Sequence, residues 1–592
     1  MTQFRHILPF GAEPDGDTTR FRLWAPDAAA VSLEIDGQAP LPMADAGDGW
    51  REATAAAGPG ARYRYRLADG VAVPDPAARA QDGDVHGASV VVDAGAYRWH
   101  TPGWMGRPWH EAVLYEVHPG AMGGFDGIRA RLPALQALGV TAIELMPIAD
   151  FPGSRNWGYD GVLPFAPDAT YGTPEALKAL IDAAHALGLM VFLDVVYNHF
   201  GPDGNYLHAY AKGFFRDDIE TPWGVAIDFR RDAVRQFFIH NALYWLNEYR
   251  FDGLRFDAVQ AISPPAFLDD MARAIRAGVT PGRMVHLVLE HEGNKASHLA
   301  PGGYDAQWTD DWHHCLHVLL TGESEGYYED FQRPAEQLAR CMAEGFAYQG
   351  EMSAHSGAAR GEASAHLPTT AFVVCLQNHD QIGNRAFGDR LAALVPPAKL
   401  RAAAALLLLS PFVPLLFMGE EWATETPFLF FTDHADDLAA LVREGRRKEF
   451  RTFAAFADPA RRAAIPDPNA AATFAASVPD PAEAADPGGR HAAMRTLYAE
   501  LLALRHRFVT PGLPGCRSAG AEAIGAKAAV GRWRLGTGAL LTLAINLGDQ
   551  PVPIERPAGE MLWGSADRMN LVVPEGALPA ATAVAYLAEA GR

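Results

Sequence analysis

VFLDVVYNH (191–199), GLRFDAV (253–259), HLVLE (286–290) and AFVVCLQNHD (371–380) are the four stretches whose reading decides the fold. Each is a short apolar run closing on an acid: Asp194, Asp257, Glu290 and Asp380. The steps between those acids are 63, 33 and 90 residues. Short apolar strands that each end in a functional side chain are what a parallel (β/α)8 barrel, the TIM barrel, delivers to one mouth. An α/β fold with several carboxylates gathered at one end is therefore expected.

Working outward, strand-like runs alternate with Ala- and Leu-rich helical stretches from Val113 onward. AVLYEVH (112–118), TAIELMP (141–147), YDAQW (304–308) and PLLFMG (414–419) join the four stretches above to make eight strands. This alternation is the texture of a parallel sheet covered by helices. The loops after the third and sixth strands are long, and long loops usually carry function. AAAALLLLSPFVPLLFMG (402–419) could pass for a membrane span, but Pro411 and Pro414 interrupt it. A buried helix followed by a buried strand explains it better.

On either side the pattern changes. FRLWAP (21–26), VSLEI (31–35) and RYRYRL (62–67) alternate in strand fashion, with Gly and Pro between them. Residues 1–100 read as a β-sandwich, 101–508 as the barrel with a helical extension, and 509–592 as a small C-terminal β domain. Residues 466–490, rich in Ala, Pro and Asp, read as a mobile loop.

At 592 residues the chain is too long for one core. Its formal charge of −21 argues against nucleic acid or an anionic membrane, which need a basic surface. The four cysteines, Cys315, Cys341, Cys375 and Cys516, are widely spaced and indicate neither zinc nor a disulfide scaffold. MTQFRHILPF (1–10) lacks a signal core, so a cytoplasmic location is expected.

Glycoside hydrolysis is the chemistry that uses carboxylates gathered at one mouth. In GLRFDAV the strand alternation points Arg255 and Asp257 the same way, so the arginine is expected to keep Asp257 ionised. Glu290 follows Leu287, Val288 and Leu289; desolvation there is expected to raise its carboxyl, as suits a general acid. Glu292 competes for that role but falls in the polar HEGNK loop. His379 beside Asp380 fits a clamp on sugar hydroxyls better than zinc, which lacks a third ligand in the pattern. Asp194, Asn198 and His199 cluster at another strand end. Trp157, Tyr159 and Trp223 stand in Gly-rich loops, where exposed aromatics suit sugar faces and loop packing competes evenly.

DVVYNH, GLRFDAV, the strand-end Glu290 and QNHD, in this order, resemble the four signature segments of the α-amylase superfamily. The resemblance implies Asp257 as nucleophile, Glu290 as acid/base and Asp380 as transition-state stabiliser. It implies support from Arg255 and His379, and contacts from Asp194, His199 and Tyr159 around the cleaved ring; Trp223 is added as an aromatic contact. Asn198 binds calcium in some amylases, but no acidic calcium loop appears, and neither metal nor cofactor is expected. Further segments, among them PDPAARAQDGDVHGASVVVD (74–93), WTDDWHHCLHVLLTGESEGYY (308–328) and FMGEEWATETPFLFFTDH (417–434), resemble the malto-oligosyltrehalose trehalohydrolase family. HPGAMGGFDG (118–127) and HEGN (291–294) depart from that family's pattern. The resemblance implies release of trehalose from malto-oligosyltrehalose, with a malto-oligosyltrehalose synthase as functional partner. A 1,4-α-glucan branching enzyme or another α-glucan hydrolase or transglycosylase of the same superfamily is the alternative.

Overall fold

Eight parallel strands close into a barrel in a computed structural model that describes residues 4–565 and 576–589. The extreme ends of the first and last expected domains, and 566–575, lie outside the described residues. The strands are β1 (Leu114–Val117), β2 (Ala142–Leu145), β3 (Met190–Val195), β4 (Gly253–Phe256), β5 (His286–Leu289), β6 (Ala306–Trp308), β7 (Phe372–Cys375) and β8 (Val413–Phe417). They pair in that order, β8 closing on β1. Every strand expected from the apolar runs is present, and all their residues are buried, as a sheet covered on both faces requires.

The register sets the mouth. Asp194 pairs with Arg255, and Arg255 with Val288, so the ends of β3, β4 and β5 lie level. Gly253 can be nothing larger: a Cβ there would come within 2.0 Å of the Phe192 ring. The helix Pro174–Ala186 between β2 and β3 starts on a side-chain cap, Thr173 accepting from the Ala176 N–H. Pro397–Leu409 is the buried helix before β8, and among the described residues no helix is long and apolar enough to cross a membrane.

Insertions follow β3, β6 and β8. A hairpin, Phe215–Thr221 with Gly224–Ile227, follows β3. The segment after β6 carries helices Asp310–Thr321 and Pro334–Glu344 and a small hairpin, Glu351–Met352 with Ala359–Arg360. Residues 466–490 differ from the expectation of a loop: they contain helices Ala471–Ala476 and Pro481–Ala485. Ser477 explains the order, since its buried hydroxyl accepts from Leu429 N and donates to Thr473 O, both at 2.9 Å. Asp480 caps the second helix through the Ala482 N–H.

Before the barrel, strands Gly11–Asp15, Thr18–Trp24, Trp50–Ala55 and Ala44–Asp45 form one sheet. A second sheet is centred on Val31–Ile35 and Arg62–Leu67, and Phe21, Leu23, Leu33, Tyr63 and Tyr65 are buried in the module. Arg79 ties this module together and to the barrel: Nη2 meets Glu13 at 2.6 Å and approaches Glu248 at 4.0 Å. After the barrel comes an antiparallel sheet ordered 517–525, 528–534, 540–546, 582–588, 560–564. Trp533 anchors it, donating from Nε1 to Met342 O at 3.0 Å.

Candidate active site

A cavity of about 480 Å³ opens at the C-terminal ends of the barrel strands. Asp257, Glu290 and Asp380 all line it, with Tyr159, His199 and Trp223. Arg255, Asp194 and His379 do not reach its surface; they are buried as a charged layer beneath.

Arg255 organises that layer. Its Nη1 donates to Asp194 Oδ2 at 2.5 Å and to Asp257 Oδ1 at 2.9 Å. Its Nη2 lies 2.8 Å from Glu290 Oε2, an ion-pair contact outside hydrogen-bond alignment. The guanidinium packs over Trp308, 4.2 Å from the ring centre. One fully buried cation thus touches acids from three adjacent strand ends. Glu290 is also held by the chain just after Asp257: Ala258 N donates to its carboxylate at 2.8 Å. Ala258 takes φ 39° and ψ 47°, the left-handed region that costs a non-glycine residue free energy, and this conformation accompanies the N–H aimed at Glu290.

The second half of the layer is His379. Its Nδ1 meets Glu116 Oε1 at 2.5 Å, and its Nε2 lies 2.8 Å from Tyr159 Oη and 3.3 Å from Asp380 Oδ2. Burial opposes a charge on this ring, but Asp380 and Glu116 outweigh it and raise His379 to about 10. An imidazolium with both N–H groups donating fits these distances. Tyr159 passes the chain on, donating to Asp194 Oδ2 at 2.7 Å.

The protonation pattern departs from the sequence reading. Burial, then the charge of Glu290, pushes Asp257 well above the usual carboxylate range despite Arg255. Burial also works to raise Glu290, but Arg255 and the Ala258 N–H outweigh it and hold the group below its ordinary value. Both carboxyls close on the same guanidinium, Asp257 Oδ1 at 2.9 Å from Nη1 and Glu290 Oε2 at 2.8 Å from Nη2. Of the two, Asp257 is the one whose surroundings favour the protonated form. The sequence shows Arg255 two residues from Asp257; it does not show the guanidinium fork extending across to Glu290.

His199 and Trp223 form a stacked wall, ring centres 5.0 Å apart and 11° from parallel, with Trp223 exposed at the hairpin turn. Burial lowers His199 to about 4, so it is neutral. Trp157 combines both expectations: it lines the cavity, but is almost wholly buried, stacked on Phe428 at 5.4 Å and donating to Leu429 O. Asn198 is buried too, and neither of its amide atoms has a hydrogen-bond partner. No group of three His, Cys, Asp or Glu side chains among the described residues is placed to hold a metal ion.

Apart from Glu292, the opposite wall was missed from sequence. Glu292, Asp310, His314, Asp330, His355 and Arg360 come from the segments after β5 and β6. Asp311 holds that wall together. Its Oδ1 pairs with Arg360 at 2.8 Å, and its Oδ2 accepts from Asn294 and from the Ala347 and Tyr348 N–H groups. The only signal available was the density of acids and histidines in WTDDWHH, which reads equally well as a solvated helix start.

Comparison with known proteins assigns this arrangement. The profile "Carbohydrate-binding module 48 (Isoamylase N-terminal domain)" matches residues 9–76, "Alpha amylase, catalytic domain" matches 82–225, and "Domain of unknown function (DUF3459)" matches 516–586. The closed barrel with these flanking modules is an α-amylase-superfamily architecture. A malto-oligosyltrehalose trehalohydrolase from Deinococcus radiodurans is 45% identical over 83% of this chain and 82% of its own. One from Rhizobium sp. is 38% identical over 95% of this chain and 96% of its own. A crystal structure of a putative α-amylase from Salmonella typhimurium superposes with a TM-score of 0.91 at 43% identity, covering 98% of this chain and all of that one. The chain belongs to the malto-oligosyltrehalose trehalohydrolase family.

Proposed function

We propose that the protein is a retaining glycoside hydrolase that cleaves the α-1,4-glucosidic bond next to the terminal trehalose unit of malto-oligosyltrehalose and releases trehalose. The observation that carries the chemistry is the Asp257–Glu290 pair, two carboxyls ion-paired to the two ends of one guanidinium at the cavity floor. Retention uses a close pair, about 5–5.5 Å apart, whereas inversion leaves about 6.5–9.5 Å for a water. The relatives support the trehalose-capped substrate.

In the first step an Asp257 oxygen bonds to the anomeric carbon as the bond to trehalose breaks. The departing oxygen takes the proton of Glu290. For this a proton must shift from Asp257, the carboxyl raised in the free site, to Glu290. A sugar ring placed over Asp257 drives it, because the cationic character growing at the anomeric carbon favours the Asp257 anion. In the second step Glu290 takes a proton from water, and the hydroxide displaces Asp257 with a second inversion. Asp380, held by the His379 imidazolium, supports the oxocarbenium-like transition state. Asp194, Arg255 and His379 act as positioning groups beneath the floor, and Tyr159, His199 and Trp223 contact sugar rings.

The substrate has to be made by an enzyme that caps malto-oligosaccharides with trehalose, and a malto-oligosyltrehalose synthase is the functional partner. Four buried, unpaired cysteines support a reducing, cytoplasmic setting. The test is product analysis with malto-oligosyltrehalose and, separately, plain malto-oligosaccharide. Trehalose from the first with little cleavage of the second supports the reading. Rearrangement of the second into branched chains without new reducing ends overturns it in favour of a transferase. The anomer first released, followed by NMR, decides retention: initial β-product would sink the Asp257 role.

A further inference from the structure

The wall formed after β6 contains polar groups whose bonding capacity the protein leaves unused. Asp310 opens the helix Asp310–Thr321, and His314 lies one turn on, so both face the same way; both line the cavity. Gln381, next to Asp380 on the following strand end, lines it as well. Gln381 Nε2 donates weakly to Asp310 Oδ1 at 3.4 Å. Gln381 Oε1 and His314 Nδ1 are buried without any hydrogen-bond partner, in side chains only 8% and 9% exposed. The neighbouring polar groups are committed elsewhere: Arg360 to Asp311 and Glu292 O, Asp330 to Ser353 and the His355 N–H. Buried polar atoms without partners are uncommon in folded proteins, and each invites an explanation. Here two of them belong to side chains that line the same cavity beside a carboxylate.

We propose that Asp310, Gln381 and His314 form the specificity-determining contact for the hydroxyls of the leaving disaccharide. This rests on the trehalose-releasing reading above. The side follows from the chemistry: the leaving oxygen must face Glu290, and Asp310 stands just past β6, the strand paired with β5, whose end carries Glu290. The rings that stay with the enzyme lie away from that acid. Trehalose and maltose differ as leaving groups in their second ring. In trehalose its anomeric carbon is linked and its 4-hydroxyl free; at the end of a malto-oligosaccharide its 4-oxygen is linked and its anomeric hydroxyl free. Discrimination therefore needs fixed donors and acceptors that reach beyond the cleaved bond. The cluster supplies a carboxyl, an amide oxygen and a ring nitrogen of defined position. Burial keeps His314 neutral, with one donor and one acceptor nitrogen, and raises Asp310 to about 7. A site built to hydrogen-bond particular hydroxyls penalises a substrate that misplaces them, because its own buried groups then stay unpaired.

The test compares kcat/KM for maltotriosyltrehalose and for a plain malto-oligosaccharide of equal length in the full-length protein. Variants Gln381→Leu, His314→Phe and the near-isosteric Asp310→Asn are measured beside wild type, with thermal unfolding as a check on folding. The expected result is an approximately 10-fold or greater fall in the ratio of the two constants. It should come with weaker product inhibition by free trehalose and unchanged inhibition by maltose. His314→Gln, which keeps a polar nitrogen and oxygen there, should restore part of the ratio. If both constants fall together, the cluster serves structure or chemistry and the proposal is overturned; an unchanged ratio overturns it equally. Should Gln381→Leu or His314→Phe fail to fold, Asp310→Asn and His314→Gln still decide. If wild type itself shows no preference for the capped substrate, the trehalose reading fails first and takes this inference with it. Preference in wild type that persists in every variant sinks the inference alone.

Discussion

Replacing Arg255 with Met should move the whole pH–rate profile upward instead of lowering it uniformly. Arg255 is fully buried and within 2.9 Å of carboxylate oxygens of Asp194, Asp257 and Glu290. An opposite charge at such range lowers a carboxyl by about 1–3 units, each unit a factor of about ten in the ionised fraction. The Asp257–Glu290 pair is active when it holds one proton. Loss of the first proton sets the acidic limb and loss of the second the basic limb, and both values belong to the pair. Arg255 depresses both, so its removal raises both. On the acidic limb, where the ionised group must already be present, kcat/KM at fixed pH should fall about 10- to 1000-fold. As pH rises through the shifted values, most of that loss should be recovered. Methionine is chosen because it fills comparable space over Trp308 without charge. The assay is trehalose release from malto-oligosyltrehalose across pH 5–10, with unfolding followed in parallel. A profile that drops in parallel at every pH, its limbs unmoved, would refute the electrostatic role of Arg255.

Glu290→Gln should cost about 10²–10⁴ in kcat/KM on the natural substrate. The deficit should shrink on a glycoside whose leaving group needs no proton, and an equal deficit on both would remove the acid role from Glu290. Trp223→Ala should raise KM more than it lowers kcat, since the exposed ring stacked on His199 offers sugar contact without reaching the carboxylates; an unchanged KM would return it to loop packing. Ser477→Ala removes a fully buried hydroxyl that bonds Leu429 N and Thr473 O, at a cost of about 1–3 kcal/mol. Proteolysis within 466–490 should accelerate and the melting temperature fall, whereas wild-type resistance would mean other contacts order that segment.

The barrel was legible because each strand is an apolar run and each functional acid sits at the end of one. Register then does the rest: once Asp194, Arg255 and Val288 are neighbours across β3 to β5, the acids must converge. What the sequence hides falls into two kinds. One is burial by distant partners. Trp157 reads as a loop aromatic, and only the fold brings Phe428 and Leu429, more than 250 positions away, to cover it. Ser477 and Asp480 order a stretch whose composition alone reads as a loop. The other is the sign of electrostatic effects inside a shared site. Desolvation acts on Asp257 and Glu290 alike, and the balance turns on which oxygen the guanidinium fork and the Ala258 N–H reach. Composition and spacing carry no information on that.

The proton arithmetic of the floor connects fold and chemistry. Glu116, Glu144, Asp194, Asp257, Glu290 and Asp380 crowd around two cations, Arg255 and His379. Six carboxylates against two cations cannot all be ionised in a buried layer, because each uncompensated charge carries a heavy desolvation cost. Glu144 shows one solution: both its carboxyl oxygens are buried without partners, and burial, then Glu116 and Asp194, pushes it well above the usual range. The neutral form is favoured there. Asp257 and Glu290 show another, opposite shifts on two carboxyls that share Arg255 and both line the cavity. Glu144 has no route to substrate, since it neither lines the cavity nor meets the pair by any hydrogen bond. The crowding that makes the floor expensive to fold therefore also favours a protonated carboxyl at the cavity surface, where a departing sugar oxygen needs a proton.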